Sequence, residues 1–179
     1  MLKAQTLSLP KPFFQDAAIV ILSSILISLF AYVSIPLPFT PVPLATQENV
    51  IFLLAFALGW KRASLAVLGF LFQGAMGLPV FAGGQAGFAI LLGPTGGYLF
   101  GYLAAALAIG FIAERMREKT SMKAFLAMAL GNFLVFLFGA AYLATFLGFE
   151  KAIVLGVVPF VLGDLLKLVA ATRLLRDLL

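Results

Sequence analysis

Asp164 and Lys167 are both ionisable, and both interrupt the apolar run PFVLGDLLKLVAA near the end of the chain. A charged side chain within a bilayer costs roughly 2.5–3.5 kcal/mol, so such groups turn toward the protein interior or a water-filled cavity. Three residues apart on a helix, the two share one face. Either they pair internally and pin their helix to its neighbours, or they meet a polar ligand. Other polar groups are few. Gln47, Glu48 and Asn49 follow a proline-rich segment; for Glu48 and Asn49 capping of a helix start ranks ahead of ligand contact, while Gln47 is open to either. Gln85 lies in the segment GGQAG and Tyr98 just beyond LLGPTGG. Gly83 and Gly84 either make a tight turn or let backbone approach a ligand closely. Phe39 and Phe81 are candidate apolar walls, and Gln73, Asn132 and Tyr142 are read as hydrogen-bonding between helices. Ser24 and Ser28 form a small-residue stripe that serves either internal packing or a partner helix. Neither glycine-rich segment matches a phosphate-binding loop, so nucleotide binding has no support. The chain has no Cys and no His, which removes thiol nucleophiles, disulfides, Ser-His triads and thiolate or imidazole metal sites.

These residues have to be positioned by helices in a membrane. The chain has 179 residues, 63% of them apolar and 11% charged, against roughly 45–50% and 25% in soluble domains. At about 20 residues per span, there is room for about six helices and no separate soluble domain. The first expected span, Ala17 to Ile35, is too long for a signal-peptide core. It ends at a loop carrying Pro36, Pro38, Pro41 and Pro43, which remove backbone donors and disfavour helix before them. A second span runs from about Leu44 to Trp60 and, after a very short turn at Lys61-Arg62, a third from Ala63 to about Leu78. Pro79 to Thr95, punctuated by glycines, reads as a loop or re-entrant element. The fourth and fifth spans cover about Gly96 to Ala113 and Ala124 to Leu147. Pro159 suits a first helical position, so the sixth is expected to start there, with Glu150 to Val158 as a short interfacial piece. That start places Asp164 about 8 Å and Lys167 about 12 Å below the outer end of the helix.

Charge sets the orientation. Of the twelve basic residues, Lys3, Lys11, Lys61, Arg62, Arg115, Arg117, Lys119, Lys123, Arg173 and Arg176 fall on one side, Lys151 on the other, and Lys167 within a helix. This bias predicts both termini in the cytoplasm, with the Pro-rich loop, the Gly-rich loop and Glu150 outside. It also accounts for the net charge of +5 without nucleic acid, since the basic residues sit between apolar runs and not in one patch.

The loop PVPLATQENV, the run GLPVFAGGQAGFAILLGPTGGYLFGYLAAALAIGFIAER and the final PFVLGDLLKLVAA resemble, in order and spacing, the BioY family of biotin-specific S components of energy-coupling factor transporters. The first loop departs from the family's usual PVPxTxQ, which shifts Thr46. The resemblance implies an all-α, six-helix integral membrane domain over residues 1–179, placed in the cytoplasmic membrane. It implies capture of biotin from the outer side and docking on a transmembrane coupling protein driven by two cytoplasmic ATPase subunits. Biotin is then the transported substrate, with no cofactor and no catalysis. Asp164 and Lys167 become site residues by the resemblance, joined by Gln85, Gly84, Tyr98, Phe81 and Gln47. By charge, Lys167 suits the ligand carboxylate and Asp164 the ureido N–H donors, with Gln85, Tyr98 or loop backbone on the ureido carbonyl. Two other classes are distinguishable. A self-sufficient secondary carrier of a small carboxylated vitamin would couple ions through Asp164 and show inverted repeats, which the sequence lacks. A membrane enzyme would have Asp164 and Lys167 as its one candidate catalytic pair.

Overall fold

A computed structural model describes residues 11–118 and 120–178, with side chains from 13 to 174 apart from that of 119; Lys3 and Lys119 lie outside it. Helix α1 (Lys11–Ala31) is followed by strands β1 (Ser34–Ile35) and β2 (Leu44–Ala45), and then by α2 (Gln47–Ala75), α3 (Phe88–Leu91), α4 (Gly96–Arg115), α5 (Ser121–Leu147), α6 (Phe149–Gly156) and α7 (Val158–Leu178). Five stretches of helix are long and apolar enough to cross a membrane, with α6 and α7 together forming the last.

Two boundaries differ from the sequence expectation. The first helix stops at Ala31, and Ser34 and Ile35 pair antiparallel with Ala45 and Leu44. The Pro-rich loop is therefore a strapped hairpin, not a free connection. Its four prolines cannot donate to a ladder, which leaves the flanking residues to close it. Thr46 reinforces the strap by donating its hydroxyl to the carbonyls of Phe30 and Val33, at 2.9 and 3.1 Å, satisfying acceptors at the end of α1. In consequence the second helix begins at Gln47 and not at Leu44.

Helix α2 is continuous by its hydrogen bonds but breaks at Gly59, where φ is 81° and ψ is 172°. A straight helix of 29 residues would separate its ends by about 42 Å. Instead both ends lie near Phe81: Gln47 shares a cavity wall with it, and Gly74 is packed against its ring. The chain thus reverses at Gly59. Glu114 fills the space beside this glycine, and its carboxylate accepts from Trp60 N at 3.2 Å. That bond serves one of the orphan donors at the start of the returning arm. Arg62 pairs with Asp16 at 2.6 Å. The start of α1, the bend of α2 and the end of α4 accordingly share one end of the bundle, and the two loops lie at the other.

Helix α4 is central, with α2 and α5 on its flanks, α1 against α2 and α7 against α5. Glycines permit the close α4–α5 approach: Gly97 abuts Tyr142 and the Phe138 carbonyl, Gly101 abuts Val135, and Gly139 faces the ring of Tyr98. Ser24 and Ser28 are buried, and Gln73 donates to Ser24 Oγ at 2.6 Å. The serine stripe is thereby spent on α1–α2 packing. Tyr142 likewise bonds the Leu92 carbonyl at 3.2 Å, whereas Asn132 Oδ1 is buried without a partner among the described residues. Leu162, Leu165 and Leu166 point outward from α7, while Phe160, Asp164, Leu168 and Ala171 point in, a spacing of about one turn that lays them along one helical face.

Candidate functional site

The inward face of α7 brings Asp164 and Lys167 together. Lys167 Nζ donates to Asp164 Oδ1 at 2.9 Å and to the Ala45 carbonyl at 3.1 Å. The ion pair therefore also ties α7 to β2, where the Pro-rich hairpin returns. Their side chains are 7% and 21% exposed, so this is an interior pair, screened little by solvent.

Two cavities of about 40 and 30 Å³ lie under the hairpin and share walls from Val42, Pro43, Ala45, Tyr98 and Tyr102. The inner one is lined by Glu48, Asp164, Lys167 and Phe160, and the outer one by Gln47, Phe81, Gln85, Thr95 and Leu99. The residues come from α2, α4, α7 and both loops.

Each expected site residue has a definite place. Asp164 and Lys167 line the inner cavity; Gln47, Gln85 and Phe81 line the outer one. Phe81 is buried, edge-on to Phe70 with ring centroids 5.4 Å apart, so it belongs to both wall and core. Gln47 donates to Tyr102 Oη at 3.4 Å, while its Oε1 is buried with no partner. Tyr98 presents its ring to both cavities, but its hydroxyl donates to the Gly156 carbonyl at 2.8 Å. It is consequently a wall that also fixes the α6–α7 junction, and it is not free to donate to a ligand carbonyl. Gly84 lines neither cavity; its φ of 75° serves the turn that presents Gln85. Phe39 is 56% exposed and touches neither cavity.

The larger correction is Glu48. It caps nothing: Thr46 is the helix N-cap, and Glu48 faces the inner cavity beside Asp164 and Lys167, with Oε1 buried and unpaired. Tyr102 was likewise not singled out. Its spacing of four from Tyr98 was the available signal, since both sit on the same face of α4.

The arrangement suits a small molecule that carries both polar groups and apolar surface. Val42, Phe81 and Leu99 supply apolar surface, and Glu48, Asp164, Lys167, Gln47 and Gln85 supply donors and acceptors. No group of three or more potential metal ligands occurs among the described residues.

Comparison with known proteins agrees with this architecture. The biotin transporter BioY of Thermotoga maritima is 44% identical over 148 residues, covering 82% of this chain and 85% of the relative. The probable biotin transporter BioY of Pyrococcus horikoshii is 36% identical over 157 residues, covering 88% and 91%. The crystal structure of the S-component for biotin from an ECF-type ABC transporter is similar with a TM-score of 0.85 at 25% identity, over 95% of this chain and 93% of that one. The BioY family model itself matches residues 3–179. With that match across nearly the whole sequence, and a solved relative of the same architecture, this chain belongs to the BioY family.

Proposed function

We propose that this chain is the membrane-embedded component that captures biotin from the outer side for an energy-coupling factor transporter. The observation that carries the reading is the buried Asp164–Lys167 pair facing a cavity beneath the two loops, in a chain whose relatives are named biotin transporters. Biotin offers a ureido group, a bicyclic apolar body and a carboxylate, and the two cavities together carry both polar groups and apolar walls.

Each arm of α2 counts as one span in this reading, which makes six. Both termini lie in the cytoplasm and the membrane is the cytoplasmic one, because the basic residues beside the Gly59 bend and beyond α4 gather at the end opposite the loops. Cavities of about 40 and 30 Å³ are small against the roughly 300–1,000 Å³ of ligand pockets, so the hairpin at 34–45 and the segment at 82–95 move apart to admit the ligand. The likeness to the S-component for biotin of an ECF-type ABC transporter supports a chain energised by partners, a transmembrane coupling protein and two cytoplasmic ATPase subunits. Calorimetric titration of the purified protein tests the substrate. Saturable one-to-one binding of biotin, with no ATP hydrolysis by the chain alone, is expected; absence of binding by folded protein overturns the reading.

A further inference from the structure

At the bend end of the bundle, remote from both cavities, Trp60 of α2 and Ala104, Leu107, Ala108 and Phe111 of α4 line an open groove of about 530 Å³. Every lining residue is apolar or aromatic, and Leu107 and Phe111 are exposed, so the groove faces lipid. Spacings of three and four set the α4 residues on one helical face, and Arg115, four beyond Phe111, continues it. From Ala104 to Arg115 the helix rises about 16 Å, close to the roughly 15 Å of hydrocarbon in one leaflet. The groove thus starts near mid-bilayer and ends at headgroup depth.

Two cations stand at that end. Arg115 Cζ lies 3.2 Å from the centroid of the Phe111 ring, and Lys61 Nζ lies 5.5 Å from that of Trp60, each over an aromatic wall of the groove that attracts it. Both side chains are exposed and, among the described residues, neither has a carboxylate partner. The nearby acids are engaged: Glu114 turns to the Gly59 side and accepts from Trp60 N, and Asp16 holds Arg62. An apolar groove one leaflet deep that closes on two unpaired cations is the complement of an acyl chain carrying an anionic headgroup. We propose that this groove binds an anionic phospholipid, with an acyl chain beside Trp60 and the headgroup phosphate between Lys61 and Arg115. A zwitterionic lipid can fill the groove but brings its own ammonium to the two cations, so charge selects between them. A second copy of this chain seated there in parallel would bring its own Lys61 and Arg115 to the same depth, where like charges repel.

Trp60 is the one tryptophan in the chain, so its fluorescence reports on the groove directly. The test reconstitutes the full chain in phosphatidylcholine bilayers that contain phosphatidylglycerol brominated on its acyl chains or, in parallel, the same fraction of brominated phosphatidylcholine. Bromine quenches an indole it touches. Each basic residue at a membrane surface favours anionic lipid by about fivefold, so brominated phosphatidylglycerol should occupy the groove about five- to thirtyfold more readily. Lys61→Gln and Arg115→Gln should each remove about fivefold of that preference, and in the double variant both lipids should quench alike. Ala108→Phe, which fills the groove and leaves the charges, should reduce quenching by both. Equal quenching by the two lipids in wild type overturns the proposal, as does a preference that survives the double charge variant or unchanged quenching in folded Ala108→Phe. Reversal by inorganic phosphate at constant ionic strength would assign the cations to free phosphate, and absence of quenching by either lipid would mean that protein covers the groove; both overturn it. Should Ala108→Phe not fold, the wild-type ratio and the charge variants decide. The bilayers are symmetric and contain no biotin, so the outcome is separate from the sidedness and substrate proposed above.

Discussion

At the scale of single residues, the buried pair on α7 holds two roles at once. Lys167 neutralises Asp164 and also bonds the hairpin carbonyl of Ala45, so it holds the fold together in addition to the ligand contact proposed for it. Removing one partner of a buried ion pair leaves a charge without compensation, a change that typically costs about 3–5 kcal/mol, whereas replacing both with apolar groups is often neutral. Lys167→Met is therefore expected to lower the thermal stability of the ligand-free protein in detergent. The double variant Asp164→Leu with Lys167→Met should recover most of that loss while remaining unable to bind biotin. Unfolding scans with matched titrations check both halves: a double variant no more stable than the single one would mean that bound water already satisfies Asp164.

At the scale of elements, the site depends on a helix that turns back on itself. Gly59 has a φ of 81°, a conformation open to glycine and strained for L side chains, and the Glu114 side chain occupies the position that its Cβ would take. Gly59→Val should destabilise the protein by about 1–3 kcal/mol through the backbone conformation alone. Adding Glu114→Ala removes the clash but not the dihedral strain, and it deletes the bond to Trp60 N, so the double variant should stay destabilised in thermal unfolding. Full recovery would show that the clash and not the backbone governs the bend. The same bend returns α2 to the loop end, where Gly74 meets Phe81; weakening it should also lower biotin affinity, although Gly59 is remote from both cavities.

At the scale of the whole molecule, the α4-centred bundle divides into a loop end, where the two cavities lie, and an opposite end marked by basic residues. The Arg62–Asp16 pair and the Trp60–Glu114 bond place the start of α1, the α2 bend and the end of α4 together. The chain has no native Cys, so single cysteines report sidedness cleanly. Cysteines replacing Phe39, Gln85 and Lys151 should react with a membrane-impermeant maleimide in intact cells, and one replacing Lys61 should react only after permeabilisation. The reverse pattern would overturn the outward-facing site.

Hydropathy and charge placement were sufficient to mark the apolar stretches, the Pro-rich and Gly-rich loops, a separate short piece before α7 and the inward placement of Asp164 and Lys167. These are local properties: an apolar run seeks lipid and a proline breaks a ladder wherever the rest of the chain lies. The family resemblance rests on motifs that are local too. The end of α1 was placed four residues late, because Ser34 and Ile35 leave the helix for a pairing with Ala45 and Leu44 that no apolar period announces. The role of Glu48 was hidden for a related reason. A carboxylate at the start of a helix reads as a cap, and only the packing of α7 against α5 and α2 turns it into the neighbour of Asp164, 116 positions onward. Tyr98 shows the converse, since its hydroxyl was free by sequence and is engaged by Gly156 in the fold. Sequence determines which segments enter the membrane; which face of each helix meets which neighbour, and hence which polar atoms are left for a ligand, is decided by side-chain packing between segments far apart in the chain.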